Sequence, residues 1–200
     1  MSVALVTGAT GFVGGHVAAD LLANGWTVRA LVRPESMGSG RLPDGCAPVP
    51  GDLLDAAAVR AAAGGVDAVF HVAARYSLAR ARADEVYRTN TEGTANVLRA
   101  AAEAGAPVVH CSSVATVGLP ADGSPGTEDT PLPAAQVIGA YKRSKVASER
   151  LALEAAARGQ HVVVSTPPRR SGRATTSPPP PAGSSPTSWP GGCPPTSTRG

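Results

Sequence analysis

Tyr141 and Lys145 stand four positions apart in Tyr141-Lys142-Arg143-Ser144-Lys145. In a helix that is about one turn, so a phenol and an ammonium project from one face. A phenol with a pKa near ~10 is a poor base at neutral pH. An ammonium beside it favours the phenolate and brings the pKa toward the working range. Ser112 and Ser113 follow the run Val109-His110-Cys111. A hydroxyl at the C-terminal end of a strand points into the crevice where open α/β sheets bind ligands. There it can donate to a substrate oxygen as negative charge develops.

A second set of residues suits a phosphate. Thr7-Gly8-Ala9-Thr10-Gly11-Phe12-Val13-Gly14 lies between an apolar run and a segment of helical spacing. Gly8 permits the tight turn, Gly11 lets the backbone approach a pyrophosphate, and Gly14 lets the helix sit close to the sheet. The helix opening behind Thr10, at Phe12 and Val13, turns backbone N–H groups and the positive end of its dipole toward the anion. In His71-Val72-Ala73-Ala74, the small Ala73 and Ala74 let the backbone approach a cofactor ribose, and His71 reads as structural.

These groups need a scaffold that brings distant segments to one edge. Short β-type runs are expected over 3–7, 27–32, 47–50, 67–72, 107–111 and 161–164. Helical runs are expected over 12–23, 55–63, 84–104 and 140–158, the second opening near Asp52 or Asp55. Gly105 and Gly159 stop the last two helices. Six strands alternating with helices predict a parallel sheet covered on both faces, the doubly wound α/β class.

Composition limits the alternatives. With 42% hydrophobic and 16% charged residues the chain reads as globular, and it has no apolar run long enough to span a membrane. Met1–Gly8 lacks the basic region of a secretory signal. The three cysteines, Cys46, Cys111 and Cys193, form no CxxC pair. That predicts a reduced, cytoplasmic protein with no disulfide frame and no metal site. The net charge of +3 is uneven: residues 1–164 carry 14 Lys and Arg against 15 Asp and Glu, while residues 165–200 carry four arginines and no acid. The folded part therefore offers no basic surface for nucleic acid.

The TGxxGxxG spacing from Thr7 to Gly14, followed by Tyr141 and Lys145 as YxxxK, resembles the extended branch of the short-chain dehydrogenase/reductase superfamily. That branch is the NAD-dependent epimerase/dehydratase family, and the likeness covers residues 1–164 as a Rossmann-like NAD(P)-binding domain. Within it the chain is most similar to hopanoid-associated sugar epimerases and dihydroflavonol 4-reductase-like enzymes. Val86-Tyr87-Arg88-Thr89-Asn90, the segment from Ser112 to Pro120, Glu128-Asp129-Thr130-Pro131 and Ile138-Gly139-Ala140 carry that likeness. The resemblance implies that Lys145 also bonds the nicotinamide ribose and that Asn90 supports the active-site architecture. It aligns Gly118 with the closing glycine of an SSxxxxG segment, which makes Ser113 the reacting serine and Ser112 structural. It places Asp52 beside the adenine amino group with Leu53 near the ring; the other reading of Asp52 is an N-cap for the helix over 55–63. In Leu31-Val32-Arg33-Pro34 there is no acid until Glu35. Arg33 is therefore expected to pair with a 2′-phosphate and favour NADP over NAD, or else to be a solvated surface arginine.

The pattern breaks after the sixth strand. Residues 165–200 hold ten of the 19 prolines and no Val, Leu, Ile, Met, Phe or Tyr. Such a stretch cannot offset the entropy of ordering, so a disordered tail is expected. The family continues with Asn-Pro, a Gly-Pro turn and a substrate domain, which is missing here. Pro178-Pro179-Pro180-Pro181-Ala182-Gly183, read one base earlier, is compatible with Pro-Thr-Pro-Thr-Gly-Arg, so the tail reads as an out-of-frame continuation. The expected function is NAD(P)-dependent oxidation, reduction or epimerisation of a small-molecule substrate, a nucleotide- or lipid-linked sugar or a hydroxyketone. Full-length relatives are expected to form homodimers, and this chain is expected to be catalytically silent. The other reading is a non-catalytic NADP-binding sensor, against which Ser113, Tyr141 and Lys145 argue because a sensor does not need them.

Overall fold

Runs of alternating β-branched and alanine-rich sequence fold in strict succession in the computed structural model, which describes residues 1–167. The elements are β1 (Val3–Thr7), α1 (Phe12–Ala23), β2 (Thr27–Val32), β3 (Ala47–Pro50), α2 (Ala56–Ala63), β4 (Ala68–His71), α3 (Ala83–Ala104), β5 (Val108–Cys111), α4 (Ala140–Ala157) and β6 (Val162–Ser165). The sheet order is β3-β2-β1-β4-β5-β6 and every pairing is parallel. Strand order reverses between β1 and β4, so a crevice opens at their carboxyl ends.

The two sheet faces bury different residues. On one, Ala4, Val6, Val28 and Ala30 pack with Ala18 and Leu21 of α1. On the other, Leu5, Val69 and Val108 meet Val59 of α2, Val97 and Ala101 of α3, and Ala152 and Ala155 of α4. α3 buries Val86, Asn90, Gly93, Thr94, Val97, Leu98 and Ala101, a three- and four-residue rhythm that lays one stripe on the sheet and on α4. Polar Asn90 and Thr94 lie within that stripe.

Two local details correct the sequence reading. Asp55 caps α2, accepting from the Ala57 and Ala58 N–H groups at 3.0 Å, whereas the Asp52 carboxylate folds back onto the Leu54 N–H at 2.8 Å. Asp52 is therefore not the cap. β6 also ends one residue later than 164: Ser165 pairs with Cys111, and its carbonyl accepts the Ser112 N–H at 2.7 Å. Ser165 thus belongs to the sheet and not to a tail. The rest of the tail reading, from residue 168, lies outside the described residues. Among the described residues no helix is long and apolar enough to cross a membrane.

Candidate functional site

Gly8 ends β1 with φ +77°, and a Cβ there would sit 2.8 Å from the Ala73 backbone. A Cβ on Gly14 would lie 2.2 Å from the Gly8 carbonyl oxygen. Both positions therefore exclude a side chain on internal grounds. Gly11 differs. Its φ is −94°, and an added Cβ would meet only the Gly8 oxygen, at 3.2 Å. Gly11 caps α1 without a side-chain hydrogen bond, and the first turn holds no acidic residue. No side-chain carboxylate of that turn offsets the positive end of the helix dipole.

A cleft of about 1100 Å³ runs from this turn across the β1–β4 switch point. It is lined by Gly8, Thr10, Phe12, Val13 and Gly14 at one end, and by Arg33, Asp52 and Leu53 along β2 and β3. Ala73, Ala74 and Tyr76 line it on the β4 side. Leu53 is held from behind: Asn96 Nδ2 donates to its carbonyl at 2.8 Å, and Gly93 approaches so closely that a Cβ would be 2.9 Å from Leu53 Cβ. Arg33 faces Glu35 across 3.1 Å with both side chains well exposed. The guanidinium expected to await a phosphate thus already has a carboxylate beside it.

Ser113, Tyr141, Lys145 and Asn90 all lie outside the lining of that cleft. The Tyr76 ring stands edge-on to Tyr141 with centroids 4.8 Å apart. Burial pushes the Tyr141 phenol's pKa up, and the nearby Ser113 side chain pulls it down by less, so the net direction is upward. The expected lowering by an ammonium is not what this arrangement produces. Lys145 is almost fully buried and its Nζ donates to the Cys111 carbonyl at 2.7 Å. Burial lowers the ammonium's pKa, while Cys111 and Glu149 act to raise it.

Asn90 does not face the phenol. Its Oδ1 accepts the Arg75 N–H at 2.7 Å, and its Nδ2 donates to the Arg75 carbonyl at 3.0 Å and to Ser144 Oγ at 2.8 Å. One buried amide therefore clamps the loop after β4 to the helix that carries Tyr141. Ser112 points away as well, donating to the Glu149 carboxylate on α4.

Sequence reasoning did not find the polar chain under the site. Thr7 Oγ1 lies 2.8 Å from His71 Nδ1, and His71 Nε2 lies 2.9 Å from Thr94 Oγ1. Thr94 spends its proton on the Asn90 carbonyl at 2.6 Å, so His71 Nε2 must donate to it. Nδ1 then accepts from Thr7, whose oxygen in turn accepts the Ala73 N–H at 3.2 Å. Every hydrogen is placed by a neutral His71 in one tautomer, and burial holds its pKa well down. His110 lies beside it with ring centroids 5.3 Å apart, buried, and with neither nitrogen paired.

Residues 4–181 match the NAD dependent epimerase/dehydratase family. A Synechocystis sp. protein provisionally assigned as a dihydroflavonol 4-reductase is 42% identical over 165 residues, covering 80% of this chain and 46% of its own. A Stigmatella aurantiaca protein, the 4-hydroxy-2-methyl-3-oxo-4-farnesyl-3,4-dihydroquinoline-1-oxide ketoreductase, is 37% identical over 163 residues, covering 80% and 47%. A crystal structure of a short-chain dehydrogenase/reductase superfamily protein from Agrobacterium tumefaciens, with bound NAD, superposes with a TM-score of 0.68. It is 34% identical and covers 82% of this chain and 48% of that one. The chain spans about half the length of the curated relatives it matches. It belongs to the NAD dependent epimerase/dehydratase family of oxidoreductase-type enzymes.

Proposed function

We propose that the described domain binds a nicotinamide dinucleotide and carries the proton-transfer groups for hydride exchange with a secondary alcohol or ketone. The observation that carries this reading is Tyr141 and Lys145 one turn apart on α4, with the Ser113 side chain near enough to the phenol to lower its pKa, beside a glycine-turned cleft. The cleft fits the cofactor: it opens at the head of α1, whose first turn carries no acidic residue, and small Ala73 and Ala74 line its β4 side. Its size is at the upper end for a small-molecule site. When bound, the dinucleotide supplies a hydride donor or acceptor.

The chain's own residues do the rest. Phe12 and Val13 at the head of α1 meet the pyrophosphate, Asp52 and Leu53 meet the adenine, and Ala73 and Ala74 leave room for ribose. Tyr141 Oη holds the proton that passes to or from the substrate oxygen, and Ser113 Oγ donates to that oxygen as charge builds. Lys145 holds the ribose. Asn90 positions the loop and helix without touching the reacting atoms. Arg33 sets a preference for NADP once it turns from Glu35 to a 2′-phosphate. The substrate class is a hydroxyl- or keto-bearing ring, a linked sugar or a hydroxyketone, in keeping with the reductase and ketoreductase names among the relatives.

Hydride transfer also needs a wall that presses the substrate onto the cofactor, an effect worth several kcal/mol of barrier, about 7–11 in well-oriented systems. Residues 1–167 supply one wall. The test is to express the 200-residue chain and a version continued in the adjacent reading frame after Val164. Both should bind NADPH and NADH, and the longer one alone should turn over a panel of nucleotide sugars and hydroxyketones. In that longer protein Tyr141→Phe should lower turnover by roughly 10²-fold while cofactor binding is kept. Near-normal turnover in Tyr141→Phe would refute the proton path. Equal turnover by the 200-residue chain would refute the need for a second wall.

A further inference from the structure

Glu149 sits on α4 one turn beyond Lys145 and takes no part in the chemistry above. Its Oε2 accepts from the Ser112 hydroxyl and lies 2.8 Å from Thr116 Oγ1. The Thr116 proton is shared with the Ser113 carbonyl, 2.7 Å away. One carboxylate thus binds both ends of the turn from Ser112 to Thr116, and Ser113 is the residue between them that faces Tyr141. The turn also accepts the Ala115 N–H on Ser113 Oγ at 3.2 Å, so its shape is fixed locally. Its attachment to α4 is what places that shape against the phenol.

The same residue stands four positions after Lys145, one turn along the same helix. Cys111 on β5 and Glu149 on its own helix act on this ammonium, and it in turn acts on His71 of β4 and His110 of β5. Both imidazoles are kept neutral by burial, and burial pushes the Cys111 thiol up. Glu149 is the one carboxylate of the set.

We propose that Glu149 is a positioning residue: it latches the turn carrying Ser113 onto the helix carrying Tyr141, with its charge one helical turn from the buried Lys145. The inference rests on the reading of Ser113, Tyr141 and Lys145 as the reacting set. The variants separate its two parts. Glu149→Gln keeps an oxygen acceptor and removes the charge; Glu149→Ala removes both.

Lys142 and Lys145 are the chain's two lysines and Tyr76, Tyr87 and Tyr141 its three tyrosines, so isotope-labelled Lys and Tyr give few NMR signals to titrate. In Glu149→Gln the Lys145 signal should titrate at lower pH than in the wild type. In Glu149→Ala the Tyr141 signal should in addition move up, in the direction expected for Ser113→Ala, because the Ser113 side chain that lowers it is released from its place. A Lys145 midpoint unchanged in Glu149→Gln overturns the charge role, and a Tyr141 midpoint unchanged in Glu149→Ala overturns the latch. If Glu149→Ala fails to fold, Ser112→Ala with Thr116→Val tests the latch from the other side. NADH and NADPH affinities of Lys145→Met decide the underlying reading separately. That variant should bind about 10- to 100-fold more weakly. Wild-type affinity there would sink the reading of the site, while the titrations would still decide Glu149.

Discussion

Replacing His110 with leucine should make the protein resist mild acid. His110 lies on β5 at 1% exposure with both ring nitrogens unpaired. Burial first, and the Lys145 charge second, hold its pKa down to about 3, against about 6.5 for a histidine in an unfolded chain. Below the unfolded value the denatured state takes up a proton that the native state refuses. Stability is therefore lost as pH falls through 6.5, and the loss stops growing only once the native imidazole protonates near 3. Between pH 7 and pH 5 that one group costs about 2 kcal/mol by linkage, a sizeable part of an ordinary folding free energy. His71 shifts in the same direction, so the wild type should lose more than His110 alone accounts for. Leucine is close in volume and does not titrate. At pH 7 it also relieves two unpaired nitrogens, each of a kind that costs ~1–3 kcal/mol when buried, less any misfit in packing. Urea unfolding at pH 7 and pH 5 should show the gap between variant and wild type widening by about 2 kcal/mol on acidification. Equal losses in the two proteins would mean that the native His110 titrates like a solvated histidine, and the burial argument would fail.

Gly14→Ala places a Cβ 2.2 Å from the Gly8 carbonyl oxygen, so it should destabilise by ~1–3 kcal/mol or more and weaken dinucleotide binding; wild-type melting with wild-type affinity would contradict the packing reading. Arg33→Ala should lower the ratio of NADPH to NADH affinity, and Glu35→Gln should raise it by freeing the guanidinium from its 3.1 Å partner. A ratio unmoved in both variants would remove Arg33 from cofactor choice. Asn90→Ala strips three hydrogen bonds from a buried amide and leaves the Arg75 backbone groups unpaired, a loss of about 2–4 kcal/mol readable in chemical unfolding. A loss under about 0.5 kcal/mol would show that the loop after β4 is held by something else.

What could be read from the chain followed from period and punctuation. β1, α1, β2 and β3 fall where apolar rhythm and glycine placed them, because each is bounded by a residue with a strong local preference. Gly105 stops α3 in the left-handed region at φ +67°, which is why that end was legible. β6 was set one residue short because Ser165 has no apolar character; only pairing with Cys111 keeps it in the sheet. The spacing of Tyr141 and Lys145 gave the shared helix face but not the sense of the pKa shift, since spacing carries no information about burial. Glu149, Ser144 and Thr94 were passed over because a carboxylate or hydroxyl on a helix ordinarily faces water. Their partners lie 37, 54 and 23 residues away, and nothing local announces such contacts.

Those long contacts join the two halves of the site. From the glycine turn, hydrogen bonds pass through Thr7 to His71, from His71 to Thr94, and from Thr94 to the Asn90 carbonyl. The Asn90 amide then reaches Ser144, which donates to the Tyr141 carbonyl at 2.8 Å. A polar chain inside an apolar stripe is costly unless every member is satisfied, and in this one the donors and acceptors match end to end. It ties β1 and β4, which open the cleft, to α3 and α4, which carry the clamp and the phenol. Apolar packing alone would let α4 slide by a fraction of a turn at little loss. A displacement of one ångström at a reacting group is enough to lower a rate by about 10²-fold. The hydrogen-bonded path removes that freedom, because any slide breaks a buried bond. That accounts for polar side chains at Asn90, Thr94 and Ser144, where leucine or alanine would pack a sheet equally well.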